Sequence, residues 1–258
     1  MSSSPPPTTI LITGATGAIG GALAKAYAAP GQTLYLQGRN TQRLDALAVV
    51  CRAMGAQVIT KVLDVRDSDA LVLWLQELCQ QKTIDLVIAN VGVNNHIGPD
   101  SKGEQWQDIR GLIEVNLLSL MLVADTVIPF MRVSGHGQIA FISSLAGYFG
   151  LPLTPSYCAS KAAVKAYGEA LRGWLKPHHV RVNVVMPGYV DSAMCRDMPG
   201  PKPFLWQPEK AANYIKWGLA QNRPRISFPF PLNLGTWFLA ALPAGISERI
   251  VRLLNYAG

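Results

Sequence analysis

The chain has 258 residues, of which 49% are hydrophobic and 15% charged. This fits one α/β domain with a core of its own and excludes a disordered chain. The net charge of +7 comes from scattered Lys and Arg with no run among them, so it reads as solvated surface that also attracts an anionic cofactor, and no nucleic-acid partner is expected.

The opening segment, MSSSPPPTT, has neither a basic nor an apolar signal region. Residues 1–8 are expected to form a disordered tail. Thr9–Thr13 is the first short apolar run, and Thr33–Gln37, Gln57–Val62, Asp85–Ala89, Gln138–Ser143 and Val180–Met186 follow. Runs this short and rich in aliphatic residues suit buried parallel strands. Between them, Leu44, Leu47, Ala48 and Cys51 recur at helical spacing, as do Leu71, Trp74, Leu75 and Leu78. The alternation predicts right-handed βαβ units. Residues 9–258 therefore read as one doubly wound α/β domain, a parallel sheet of about seven strands with helices on both faces. Cys51, Cys79, Cys158 and Cys195 have no metal-ligand spacing. No metal is expected, and ordinary thiols point to a reducing compartment, the cytoplasm.

The first strand runs into ILITGATGAIGGALAKAYA, with glycines at 14, 17 and 20. Gly14 suits a tight turn, Gly17 lets a pyrophosphate approach bare backbone, and Gly20 allows close helix packing. A glycine-rich turn without a ligand is the competing reading. After the second strand, Gln37-Gly38-Arg39-Asn40 holds no carboxylate to read a ribose 2′-hydroxyl. Arg39 can instead hold a 2′-phosphate, which favours NADP(H) over NAD(H). The alternative is a surface Arg opening the next helix.

Tyr157 and Lys161 stand four apart in a helical stretch, so they share a face. A nearby ammonium is expected to lower the Tyr pKa and fit it for acid–base work. Alone, such a pair is common by chance. Ser143 and Ser144 end a strand run, where ligands of parallel sheets gather. Asn116 continues a stripe of Ile109, Ile113, Leu117 and Leu120 on a long predicted helix. A buried amide there needs partners, and backbone alone could satisfy it.

Taken together, TGATGAIG, LDVRD, IANVG, EVNLL, FISSLAG, YCASK and MPGYVDS resemble the short-chain dehydrogenase/reductase family in order and spacing, over roughly residues 8–195. The resemblance implies a Rossmann domain and hydride transfer between nicotinamide and a carbonyl or secondary alcohol. It makes Tyr157 the acid/base and Lys161 the ligand of the nicotinamide ribose. Ser144, thirteen residues before the Tyr, would hold the substrate oxygen, and Asn116 would anchor a relay water. Gly14, Thr16, Gly17, Ala18, Ile19 and Gly20 would hold the pyrophosphate, and Arg39 and Asn40 the 2′ end. Asp64 and Val65 would meet the adenine, and Asn90, Val91 and Gly92 the middle of the cofactor. Pro187, Gly188, Val190 and Ser192 would border the nicotinamide.

The chain departs from the compact branch in two places. Ala18 stands where that branch usually has glycine, and Gly17 gives the spacing of the extended branch of epimerases and dehydratases. Val91 replaces a smaller alanine, so packing near the cofactor is expected to differ. A nucleotide-sugar epimerase or dehydratase, and a non-catalytic NADP(H)-binding regulator, are the rival functions.

Residues 193–206 read as a substrate lid, and residues 226–258 as an apolar C-terminal segment. The stretch Ile226 to Pro243 is broken by Pro and Gly, so it is not expected to span a membrane. It fits a subunit interface, a peripheral lipid contact or the wall of an apolar substrate pocket, in that order. The row Ala162, Ala166 and Ala170 implies, through the resemblance, a homodimer or homotetramer.

Overall fold

The apolar runs are strands, and side chains along them alternate between two cores. In the computed structural model, which describes residues 6–98, 102–198 and 200–253, the strands are β1 (Thr9–Ile12), β2 (Thr33–Gly38), β3 (Gln57–Val62), β4 (Leu86–Ala89), β5 (Gly137–Ile142), β6 (Val180–Pro187) and β7 (Arg225–Phe228). All pair in parallel in the order β3-β2-β1-β4-β5-β6-β7. The seventh strand runs from Arg225 into the tract read only as apolar.

The helices are α1 (Ala18–Tyr27), α2 (Thr41–Ala53), α3 (Ser68–Gln81), α4 (Trp106–Ile113), α5 (Ser119–Ser134), α6 (Pro155–Leu175), α7 (Ala193–Asp197), α8 (Pro208–Ala220), α9 (Leu232–Ala241) and α10 (Ala244–Leu253). Ile10, Ile12, Leu86 and Ile88 join the core with Leu23, Leu44 and Ile215 of α1, α2 and α8. Their neighbours Leu11, Val87 and Ala89 face the opposite core, with Leu75, Val123 and Val164 of α3, α5 and α6. A strand that buries alternate residues on both faces has no polar face, hence the continuous apolar runs. The topology reverses between β1 and β4, so a crevice opens beyond their carboxyl ends.

Two features aim α6 into that crevice. A Cβ at Gly168 would lie 2.7 Å from Val184 Cγ2, so only glycine lets the helix rest this close to the sheet. Pro155 opens the helix at its first turn, where a missing N–H costs nothing.

The long helix around Asn116 is present but not α-helical throughout. A π-helical turn, Glu114–Leu118, separates α4 from α5. The wider turn shifts the buried face to Leu112, Val115, Asn116, Ser119 and Leu120 and leaves Ile109, Ile113 and Leu117 only half-buried. The combined span Trp106–Ser134 is long and apolar enough to cross a membrane by length and composition, but Leu120, Val123, Ala124 and Val127 are core residues. Residues 1–5 of the expected tail lie outside the described residues. Thr8 is held by Asp85, whose Oδ2 accepts from its N–H at 2.7 Å and from its hydroxyl at 2.8 Å.

Candidate active site

The crevice is a cleft of about 960 Å³. One end is the glycine turn. Gly14 takes φ +64°, the left-handed region where glycine avoids strain. A Cβ on Gly20 would sit 2.4 Å from the Gly14 carbonyl, so this glycine serves packing and does not line the cleft. Gly17 has φ −77° and caps α1 without a side-chain hydrogen bond. No acidic residue stands in the first turn of α1, so its positive end faces the cleft unneutralised, as an anion site requires. Thr16, Gly17, Ala18 and Ile19 line it there. The glycine at 17 thus leaves the cradle open, with Ala18 accommodated at its wall.

Asn90 braces this turn. Its Nδ2 donates to the carbonyls of Thr13 and Gly14, both at 3.1 Å. Gln37, given no role by the sequence reading, braces it from the other side. It is buried, its Oε1 accepts from Gly14 N–H at 3.0 Å and its Nε2 donates to the Leu63 carbonyl at 2.6 Å. The bulk of Val91 packs against Gly14, where a Cβ would lie 3.2 Å from Val91 Cγ2.

At the 2′ end, Arg39 lines the cleft beside Asp64 and Val65. The Asp64 carboxylate accepts from Arg66 at 2.6 Å, and Arg39 lies 3.8 Å away. The Arg66 hydrogen bond holds its pKa below the usual carboxylate value. A second guanidinium, Arg43, also lines the cleft; its spacing of four from Arg39 was the available signal. Asn40 does not line it. Its Oδ1 accepts from Arg43 N–H at 2.9 Å, so it caps α2, a task that suits Asn.

At the other end, Ser144, Tyr157 and Lys161 converge. Ser144 stands beside the Tyr157 phenol, and its Oγ donates to the Pro187 carbonyl at 3.4 Å and accepts from Ala146 N–H at 3.1 Å. Lys161 is buried and donates to the Ile142 carbonyl at 3.0 Å. Gly92 leaves it room, since a Cβ there would lie 3.2 Å from Nζ. The expected lowering of the Tyr pKa by Lys161 is not found. Nζ stands 5.8 Å from the ring centroid, and burial dominates both groups. It pushes the Tyr157 phenol up to about 12 and the Lys161 ammonium down to about 8. The phenol is therefore protonated at neutral pH.

Asn116 does not line the cleft. Its Oδ1 accepts from Val93 N–H at 2.7 Å, and its Nδ2 donates to the Val93 carbonyl at 2.8 Å and to Ser160 Oγ at 3.2 Å. Its side chain braces the loop after β4. Glu104, also missed, holds the first turn of α6 by accepting from Ser156 Oγ at 2.6 Å and Ser156 N–H at 3.0 Å.

Pro187, Gly188, Val190 and Ser192 line the cleft after β6. Ser192 caps α7 by accepting from Cys195 N–H at 3.0 Å. The tract 193–206 begins with that helix and ends at Trp206, which bridges back to Val190. The apolar C-terminal segment closes the cleft with Leu232, Thr236 and Leu239 of α9 and Ile250 and Val251 of α10. The pocket wall, ranked last among the three readings, is what these side chains form.

A model of the short chain dehydrogenase family matches residues 8–201. The chain belongs to that family. An uncharacterized oxidoreductase of Myxococcus xanthus is 32% identical, with 96% of this chain and 97% of that one covered. A very-long-chain 3-oxoacyl-CoA reductase of Phaeosphaeria nodorum is 29% identical, covering 94% of this chain and 74% of that protein. Among solved structures, a short-chain dehydrogenase from Sphingobium yanoikuyae in complex with NADPH superposes with a TM-score of 0.80 at 26% identity, covering 93% and 95% of the two chains. As a member of the family, the chain is an oxidoreductase.

Proposed function

We propose that this oxidoreductase uses NADP(H) to interconvert an apolar carbonyl compound and its secondary alcohol, with Tyr157 as the acid/base. The observation that carries the reading is one continuous cleft, with an uncapped helix N-terminus and two guanidinium groups toward one end and the Ser144–Tyr157–Lys161 cluster at the other. The residues fit the cofactor. Gly14 to Ile19 would hold its pyrophosphate, Arg39 and Arg43 its 2′-phosphate, Asp64 and Val65 its adenine end, and Lys161 its nicotinamide ribose. Bound NADP(H) would supply or accept the hydride.

In the reducing direction, Tyr157 Oη donates its proton to the substrate oxygen as negative charge develops there. The Ser144 hydroxyl donates a second hydrogen bond to the same oxygen and fixes its position. In the oxidising direction, Tyr157 must take the proton, and its raised pKa makes it a poor base until a positive charge comes near.

The substrate half is walled by Leu145, Phe149, Met194, Met198, Leu232 and Leu239, which suits an apolar chain beside the carbonyl. The name of the Phaeosphaeria relative, a very-long-chain 3-oxoacyl-CoA reductase, supports the same class. The exposed row of Ala162, Ala166 and Ala170 on α6 supports a homo-oligomer packed through that helix. NADPH oxidation measured with 3-oxoacyl esters of increasing chain length tests the substrate reading. Rising kcat/KM with chain length is expected, and turnover confined to small polar ketones would refute an apolar substrate.

A further inference from the structure

Helix α9, LNLGTWFLAA, carries no charged residue and is apolar on its outer face as well as toward the cleft. Its polar side chains turn inward: Asn233 Nδ2 donates to the Ser227 carbonyl at 3.0 Å, and Thr236 lines the cleft. Leu232 and Leu239 line the cleft, and the remaining large apolar side chains turn outward. Leu234 is 53% exposed, Trp237 47% and Phe238 53%, and the adjoining Phe230 is 75% exposed. A cluster of this kind marks a surface that something covers.

We infer that the outer face of α9, with α10 beside it, docks on the surface of an anionic lipid bilayer. Charge is the first argument. Ser247 Oγ ties α10 to α9 through the Leu239 carbonyl at 2.7 Å. On α10, Ile246, Arg249 and Leu253 recur along one exposed face, and Arg252 beside them is paired to Glu248 at 2.7 Å, which leaves Arg249, among the described residues, as the unneutralised cation of the helix. Apolar residues interleaved with cations are the pattern of a helix lying in the headgroup region, and the whole chain carries +7. Continuity with the cleft is the second. Phe238 is exposed and also lines the cleft, so the docked face meets the mouth of the apolar pocket. A second copy has a better surface in the small-residue row of α6, where helices approach closely. The use of this face, admitting a carbonyl compound dissolved in the membrane, rests on the reductase reading; the docking itself does not.

Flotation of the full chain with phosphatidylcholine vesicles, with and without phosphatidylglycerol, tests the inference. The wild type floats, more with phosphatidylglycerol. The double variant Leu234→Gln/Trp237→Gln, whose side chains do not line the cleft, loses about tenfold or more of its partition and binds NADPH as the wild type does. Arg249→Glu/Arg252→Glu loses only the preference for the anionic lipid. A wild type that stays in the soluble fraction overturns the inference, as does a Leu234/Trp237 variant that floats equally. A wild-type dimer that these two substitutions dissociate, with no vesicle binding, assigns the face to a second copy. Failure of the wild type to bind NADPH would remove the reductase reading and leave the flotation result standing.

Discussion

Ser143 Oγ donates to the Lys161 carbonyl at 2.6 Å. This bond joins the end of β5 to the second turn of α6 and separates two adjacent serines by task. Ser143 is buried and holds the helix, while Ser144 faces the phenol of Tyr157. Ser143→Ala should lower stability by about 1–2 kcal/mol, read by urea unfolding, and spare much of the activity. Ser144→Ala should leave stability nearly unchanged and cut kcat about 100- to 1,000-fold. Equal losses of activity in the two variants would contradict the division.

Lys161 predicts a pH dependence of stability. Burial lowers its folded pKa to about 8, below the ordinary value of about 10.4 in the unfolded chain. Between these values the unfolded chain binds more protons, so the group's contribution to stability rises with pH across that window. Below pH 8 the charged form carries its full burial penalty. Lys161→Met should therefore be more stable than the wild type at pH 7, with the gap narrowing by pH 10, while its turnover is lost. Unfolding at both pH values checks this, and a gap that widens with pH would show that burial does not dominate.

The 2′ end predicts cofactor choice. Arg39→Asp removes one guanidinium and sets a carboxylate near Asp64. NADPH affinity should fall about 10- to 100-fold with NADH little changed. Arg43→Gln should act in the same direction and more weakly. Isothermal titration with both nucleotides measures it, and unchanged selectivity in both variants would remove the pair from the cofactor site.

Asn116→Ala leaves the Val93 N–H and carbonyl without the partners they have. The cost should be about 2 kcal/mol, or roughly 5 °C in Tm, accompanied by weaker NADPH binding because the loop after β4 loosens. Differential scanning calorimetry reads the first effect.

The sheet and its covering helices could be read from the sequence because buried parallel strands and amphipathic helices write their periods directly. Ser144, Tyr157 and Lys161 are picked out by motifs that resemble the family, and the structure brings them together at one end of the cleft. Other features depend on tertiary contacts that no local pattern carries. Gln37 became a brace because its side chain reaches two loops far away in sequence, and Glu104 reaches Ser156 across 52 residues. Asn40 resembled a ligand of the cofactor, but the first turn of α2 claimed it. The π-turn at Glu114–Leu118 moved the buried stripe by altering the helical period itself. Composition alone cannot tell an apolar wall from an apolar surface, and α9 is both, with Leu232 and Leu239 on the cleft and Leu234 and Trp237 exposed.

The most direct test of the central claim is a fluorescence titration of the wild type and Tyr157→Phe with NADPH and NADH, paired with turnover of an apolar ketone. Selective NADPH binding in both proteins is expected, with turnover falling at least about a hundredfold in the variant. Binding of neither nucleotide, or near-normal turnover without the phenol, would contradict it.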